Sequence, residues 1–463
     1  MIARTTNRDP ERATLAEPGA RTADDAVFVT GSTMRHVVVM STTGAAGLLA
    51  IFFVDFANLF YISLLGQQAL AAAVGYASTL LFFTISFGIG LTIAATAITA
   101  RAIGEGDLAA ARKNATASLV YAVATTGLIA AALYPFLGPI LSVIGAEGAT
   151  HAIALRFLRI ALPSTPLLGA GMCLAGLLRA RGDARRAMYV TLGAGSAAAA
   201  IDPLLIFGLG LGIDGAALAI VIVRAVFVLI GVHGVMIVHR MLERPDAAWL
   251  SRQARPFFAI AVPAVLTQIA TPVGNAYVTG EVAKFGDDAV AGWAIIGRIM
   301  PLAFAALFAL TSAIGPILSQ NLGARRFDRV EATITDSLKF TAIYSLGVWA
   351  ALAIAAQPIV ALFRASGAAA DLIGFFCLFV AGSFLFNGAL FVANACFNNL
   401  GHAMLSTLFN WGRATLGIVP FVLIGRQWGA EGVIAGWGAG GIAFGIASVL
   451  ASYAVVRRIS ARG

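Results

Sequence analysis

Apolar residues in this chain come in long unbroken blocks, parted by short stretches that carry nearly all the charge. There is little strict alternation with a period of two, and no narrow apolar stripe on an otherwise polar helix. About 20 apolar residues cross a bilayer as a helix. The blocks predict twelve such helices, over 36–63, 68–102, 114–143, 150–180, 187–210, 213–240, 256–283, 288–322, 335–363, 371–400, 403–425 and 431–456. Ahead of them, residues 1–30 are polar, with Arg4, Arg8, Asp9, Glu11, Arg12, Glu17, Arg21, Asp24 and Asp25. That stretch lacks the apolar core of a signal peptide and reads as a disordered cytoplasmic tail.

Composition agrees, with 59% hydrophobic and 11% charged residues against roughly 25% charged in soluble domains. This excludes a soluble enzyme, a disordered regulator and a disulfide scaffold; Cys173, Cys377 and Cys396 all lie in apolar runs. The excess of 31 Lys and Arg over 22 Asp and Glu would suggest nucleic acid in a soluble chain. Here it follows topology, so no nucleic-acid partner is expected. Loops after helices 2, 4, 6 and 8 carry Arg101/Arg112/Lys113, Arg179/Arg181/Arg185/Arg186, Arg240/Arg244/Arg252/Arg255 and Arg325/Arg326/Arg329, and the chain ends with Arg457, Arg458 and Arg462. The loops between them hold little beyond Lys284, Arg364 and Arg426. By the positive-inside rule both termini are cytoplasmic. The arginine-rich, lysine-poor usage hints at a GC-rich bacterial source, and the expected location is the bacterial inner (plasma) membrane.

An internal repeat sets the architecture. GQQALA from Gly66 matches GDDAVA from Gly286, an offset of 220. Gly104 matches Gly323 and Gly182 matches Gly401 at 219; Pro203 matches Pro420 and Gly215 matches Gly432 at 217. Each repeat has six crossings, so the halves run parallel about an axis along the membrane normal. The expected fold is an all-α membrane protein with two pseudo-symmetric six-helix bundles: an N-lobe over 31–245 and a C-lobe over 246–463.

Two acids fall inside apolar blocks, Asp55 in helix 1 and Asp202 in helix 5. A carboxylate in hydrocarbon costs at least a few kcal/mol and marks an ion or proton site by default. A buried aspartate bonded to neighbouring hydroxyls or to the helix end near Pro203 is the alternative. Their repeat partners are Asn275 and Val419, so the second half lacks these titratable groups. Asn58 shares a helical face with Asp55. Gln268, Asn275, Asn387, Asn394 and Asn410 place neutral polar groups in second-half helices, where they line a substrate cavity or join helices. Arg224, Arg298 and Arg413 lie within or near apolar spans; Arg413, one turn after Asn410, is a cavity candidate. The aromatic run Phe52, Phe53, Phe56, Phe60 and Tyr61 reads as lipid-facing or packing surface, or as a contact for a flat cation. No GxxxxGK[ST], HExxH or GxSxG occurs, and the five histidines lack ligand spacing. Nothing points to an enzyme, a metal centre or a cofactor.

The helix 1 acid, the Asp202-Pro203 pair, ARAIGEGDLAAAR at 100–112, LLRARGDAR at 177–185 and SQNLGA at 319–324 resemble the multidrug and toxic compound extrusion (MATE) family over about 36–456. The resemblance implies a monomer in the lipid bilayer that exports small-molecule organic cations by secondary antiport. In the proton-coupled, DNA-damage-inducible-F-like branch the helix 1 and helix 5 aspartates carry coupling, which maps onto Asp55 and Asp202. In the sodium-coupled branch acids in helices 7 and 10 also matter. Here those helices offer Gln268, Asn275, Asn387 and Asn394, with Glu281 near the end of helix 7, which favours protons; sodium at Asp55 and Asp202 is the alternative. The family often has Asn where this chain has Ala198, and Thr43 stands where the second half has Pro263. A lipid-linked saccharide flippase of the same superfamily is the other reading.

Overall fold

The computed structural model describes residues 26–64 and 68–461, and the side chains of these except 54–60, 62–64, 68, 69 and 71. The expectations for residues 1–25 and for the loop at Gly66 and Gln67 lie outside them. The described residues form twelve helical segments and no strand. In the first half these are α1 (Thr33–Leu64), α2 (Gln68–Gly104), α3 (Leu108–Val143), α4 (Gly148–Arg181), α5 (Ala184–Gly208) and α6 (Gly212–Val238). The second half has α7 (Ala247–Ala283), α8 (Asp287–Ala303 continued by Ala305–Gly323), α9 (Phe327–Leu362), α10 (Gly367–Asn399), α11 (403–425) and α12 (Gly429–Ser460). The apolar run Ala403–Ser460 is 58 residues long, roughly 87 Å as one helix and far more than a bilayer spans. It folds back at a 3-10 turn, Arg426–Trp428, where Gly429 takes φ +79°, and so supplies both α11 and α12.

Two helices begin well before their apolar blocks. Helix α7 starts at Ala247, where the Asp246 carboxylate accepts from Ala248 N at 2.9 Å and Trp249 N at 3.3 Å. Helix α9 starts at Phe327. Hydropathy marks only what the bilayer surrounds, whereas the capped α7 continues through Arg252 and Arg255, and α9 through Asp328 and Arg329, into water. The polar tail also ends sooner than expected. Val27–Val29 is a 3-10 turn that buries Phe28, only 2% exposed, while Val27 stays exposed.

Helices α1–α6 pack together as one bundle and α7–α12 as another. The repeat is visible in helix defects. Helix α4 tightens to 3-10 at Leu162–Ser164, around Pro163, and α10 does so at Ala381–Ser383, 219 residues on. Each defect frees carbonyls, and a neighbouring helix supplies a donor. Arg224 Nη1 of α6 donates to Ala161 O at 3.0 Å and Ser164 Oγ at 2.8 Å. Trp349 Nε1 of α9 donates to Leu378 O at 2.9 Å.

The bundles meet through α1 against α8, α2 against α7, and α2 against α8. Since α1 and α7 are repeat partners, as are α2 and α8, this is one contact used twice about a pseudo-twofold axis.

Candidate functional site

Two polar regions lie in the membrane-embedded interior, one per lobe, and a third closes the basic end. In the N-lobe, Asp202 is 3% exposed at the last full turn of α5. Pro203 follows with no N–H, and the chain passes into a π turn, Leu204–Gly208. Ala198, one turn earlier, is buried. Asp55 and Asn58 sit on α1, and their side chains lie outside the described residues.

The C-lobe region is a hydrogen-bonded cluster between α7, α10 and α11. Arg413 is 6% exposed and opens a π turn, Arg413–Gly417. Its Nη1 donates to Asn387 Oδ1 of α10 at 3.3 Å, and its Nη2 to Thr271 Oγ1 of α7 at 3.3 Å. Its Nε is buried without a partner. No carboxylate pairs with it among the described residues. Gln268, Thr271 and Asn275 are spaced as one face of α7 and are half-buried. Neither Gln268 nor Asn275 has a side-chain partner among the described residues. The structure thus joins Arg413 to Asn387 and Thr271, with Gln268 and Asn275 spaced on the Thr271 face of α7. Asn394 stands apart from it, because its Oδ1 accepts from Asn410 Nδ2 at 2.8 Å and its carbonyl from Ser406 Oγ at 3.2 Å, all buried. Those bonds join α10 to α11.

Arg298 is exposed and Arg224 is the buried α4–α6 tie. Glu281, at the end of α7, is 7% exposed and pairs with Lys284 Nζ at 2.7 Å.

At the basic end the lobes touch main chain to main chain. A Cβ on Gly104 would lie 2.1 Å from Gln320 O, and one on Gly323 would lie 2.2 Å from Arg101 O. Both glycines and both carbonyl residues are 219 apart, so the contact is reciprocal. Gln320 then bridges the lobes: its Nε2 donates to Ala180 O of α4 at 2.8 Å, and its Oε1 accepts from Phe28 N at 3.0 Å. Arg329 holds the same segment, with Nη2 donating to Phe28 O at 2.8 Å and Thr30 O at 3.0 Å, Nη1 to Gly31 O at 2.9 Å, and Nε to Asn321 Oδ1 at 3.0 Å. Sequence reasoning missed this role for Phe28, Gln320, Asn321 and Arg329. The adjacent amides Gln320 and Asn321 at a helix end were the available signal. Nearby, Asp183 caps α5, accepting from Arg186 N at 3.0 Å and Arg186 Nη1 at 2.6 Å, with His239 Nε2 at 2.8 Å. Partial burial pushes its carboxyl up, but the hydrogen bonds from Arg186 and His239 outweigh this and hold it below the ordinary value.

Comparisons with known proteins agree with this architecture. The MatE family model matches residues 45–204 and 263–423, one stretch in each lobe. An FAD transporter of Shewanella oneidensis is 29% identical over 399 residues, covering 84% of this chain and 88% of that protein. The multidrug export protein MepA of Staphylococcus aureus is 24% identical over 390 residues, covering 81% and 84%. A mutant of the Vibrio cholerae MATE transporter VcmN superposes with a TM-score of 0.87 at 25% identity, over 92% of this chain and 97% of that one. The chain therefore belongs to the MatE family and is a multi-pass membrane transporter, not an enzyme.

Proposed function

We propose that this protein is a proton-coupled antiporter that exports organic cations from the cytoplasm by alternating access, with Asp55 and Asp202 as its proton carriers. The observation that carries the reading is the burial of Asp202, 3% exposed beside a proline and a π turn inside a membrane helix. A carboxylate there is tolerated when it is neutralised or paired, so proton gain and loss change its fit to the surroundings. With the basic end cytoplasmic, the reciprocal glycine contact closes the inward side. Protonation from outside would neutralise the acids and release the cation; deprotonation toward the cytoplasm would restore an attractive site. A ligand shifts such an equilibrium only by its differential affinity for the two states.

Support for protons over sodium comes from the C-lobe. A guanidinium bridges α7 and α10, the helices where the sodium-coupled branch carries acids, and repels a metal ion there. Everted vesicles under an imposed pH gradient provide the test. Ethidium is expected to trigger proton release without sodium, and Asp55→Asn or Asp202→Asn to abolish it while the protein stays folded. Normal exchange in both variants would refute the scheme, and a sodium requirement would reassign the ion. Silence toward every cation from folded protein would favour the saccharide flippase.

A further inference from the structure

We infer that the C-lobe carries an oxyanion subsite centred on Arg413, which takes a phosphate or carboxylate group of the transported molecule. The inference rests on the proposed transport function, and it concerns the half of the molecule that lacks the two aspartates.

The two buried arginines make the case by contrast. Arg224 is held by bonds of 3.0 and 2.8 Å to a carbonyl and a hydroxyl freed by the α4 defect. It is a structural tie with its partners in place. Arg413 is as buried and likewise has two neutral acceptors, but both its bonds are 3.3 Å long and its Nε is buried with no acceptor. A guanidinium offers five N–H donors in a planar fork suited to an oxyanion. A buried charge without a counter-ion is costly, and that cost falls when an anion arrives. The surroundings are donor-rich too. Among the described residues, the Asn387 Nδ2 group and the Gln268 and Asn275 amides have no protein acceptor, and the last two share the face of α7 that holds Thr271. One cation with three spare amides and, among the described residues, no paired carboxylate is chemistry for binding a negative group. With carboxylates in the N-lobe and a guanidinium in the C-lobe, the preferred substrate would be amphoteric.

Flavin mononucleotide and riboflavin test this as a pair, since they differ by one phosphate. Binding is followed by flavin fluorescence with purified full-length protein in nanodiscs. Wild type should bind the phosphorylated flavin at least about tenfold tighter, the usual worth of a charge-assisted hydrogen bond. Millimolar inorganic phosphate should compete, which separates recognition of the phosphate from recognition of the rings. Arg413→Gln should bring the two affinities together. Asn387→Asp keeps the arginine and gives it an internal counter-ion, so it should remove the preference while raising the unfolding temperature. A preference that survives both variants overturns the inference, as does wild type that shows none or binds neither flavin nor phosphate. Loss of ethidium-driven proton release with the phosphate preference intact would instead count against the proton-coupled reading alone.

Discussion

Single residues in this protein act through what surrounds them more than through their type. Asp183 is an example outside the membrane: one carboxylate caps α5, pairs with Arg186 and faces His239. Because its folded value lies below the unfolded one, its stabilisation is complete above about pH 4 and is lost as pH falls through the depressed value. Asp183→Ala should cost about 1 kcal/mol at neutral pH, typical of a lost cap, and should flatten the acid limb of the stability curve. Thermal unfolding in detergent between pH 3 and 7, measured for both proteins, checks this; equal acid limbs would contradict it. Arg224→Met should remove the donor to the Ser164 hydroxyl and one of two donors to the Ala161 carbonyl, which keeps its bond from Ser164 Oγ, and cost about 1 kcal/mol. Whether a buried arginine is a tie or a site was not readable in sequence. Arg224 and Arg413 look alike in apolar blocks, and only the lengths of their bonds and the orphaned Nε of Arg413 separate them.

The elements were largely legible, for a physical reason: lipid satisfies no backbone group, so a long apolar block can only be a helix. The span predicted at 403–425 matches the observed α11. The starts of α7 and α9 were not legible, since charged helical turns in water look like loop in a hydropathy pattern. Defects inside helices were half legible. The apolar block 150–180 was expected to be unbroken although Pro163 was a signal for the break in α4, while the matching break at Ala381–Ser383 has no proline and is visible only through the repeat. If Trp349 Nε1 sustains that break by holding the Leu378 carbonyl, Trp349→Phe should raise amide exchange locally around Leu378 and leave the α4 break unchanged. Exchange followed by mass spectrometry would show it, and uniform protection across α10 would refute it.

At the scale of the whole molecule, the repeat predicted two parallel lobes but not how they close, because the closing atoms are main chain and leave no residue-type signal beyond two glycines. The clash a Cβ would make at Gly104 or Gly323 is with a carbonyl oxygen, which no rotamer change relieves. Gly104→Ala should therefore shift the protein toward the state open at the basic end. Spin labels on the exposed Glu105 and Arg326 should report longer distances than in wild type, and an unchanged distribution would refute it. The closing contacts have a further property. Gln320, Asn321 and the Arg329 guanidinium all bond neutral acceptors, carbonyls or an amide, and the glycine contact involves no charge. Opening this gate separates no ion pair among those contacts. Raising salt from about 0.1 to 1 M, which shrinks the Debye length from about 10 to about 3 Å, would then leave the gate's open fraction nearly unchanged. Such a contact would yield as readily in dilute as in concentrated salt.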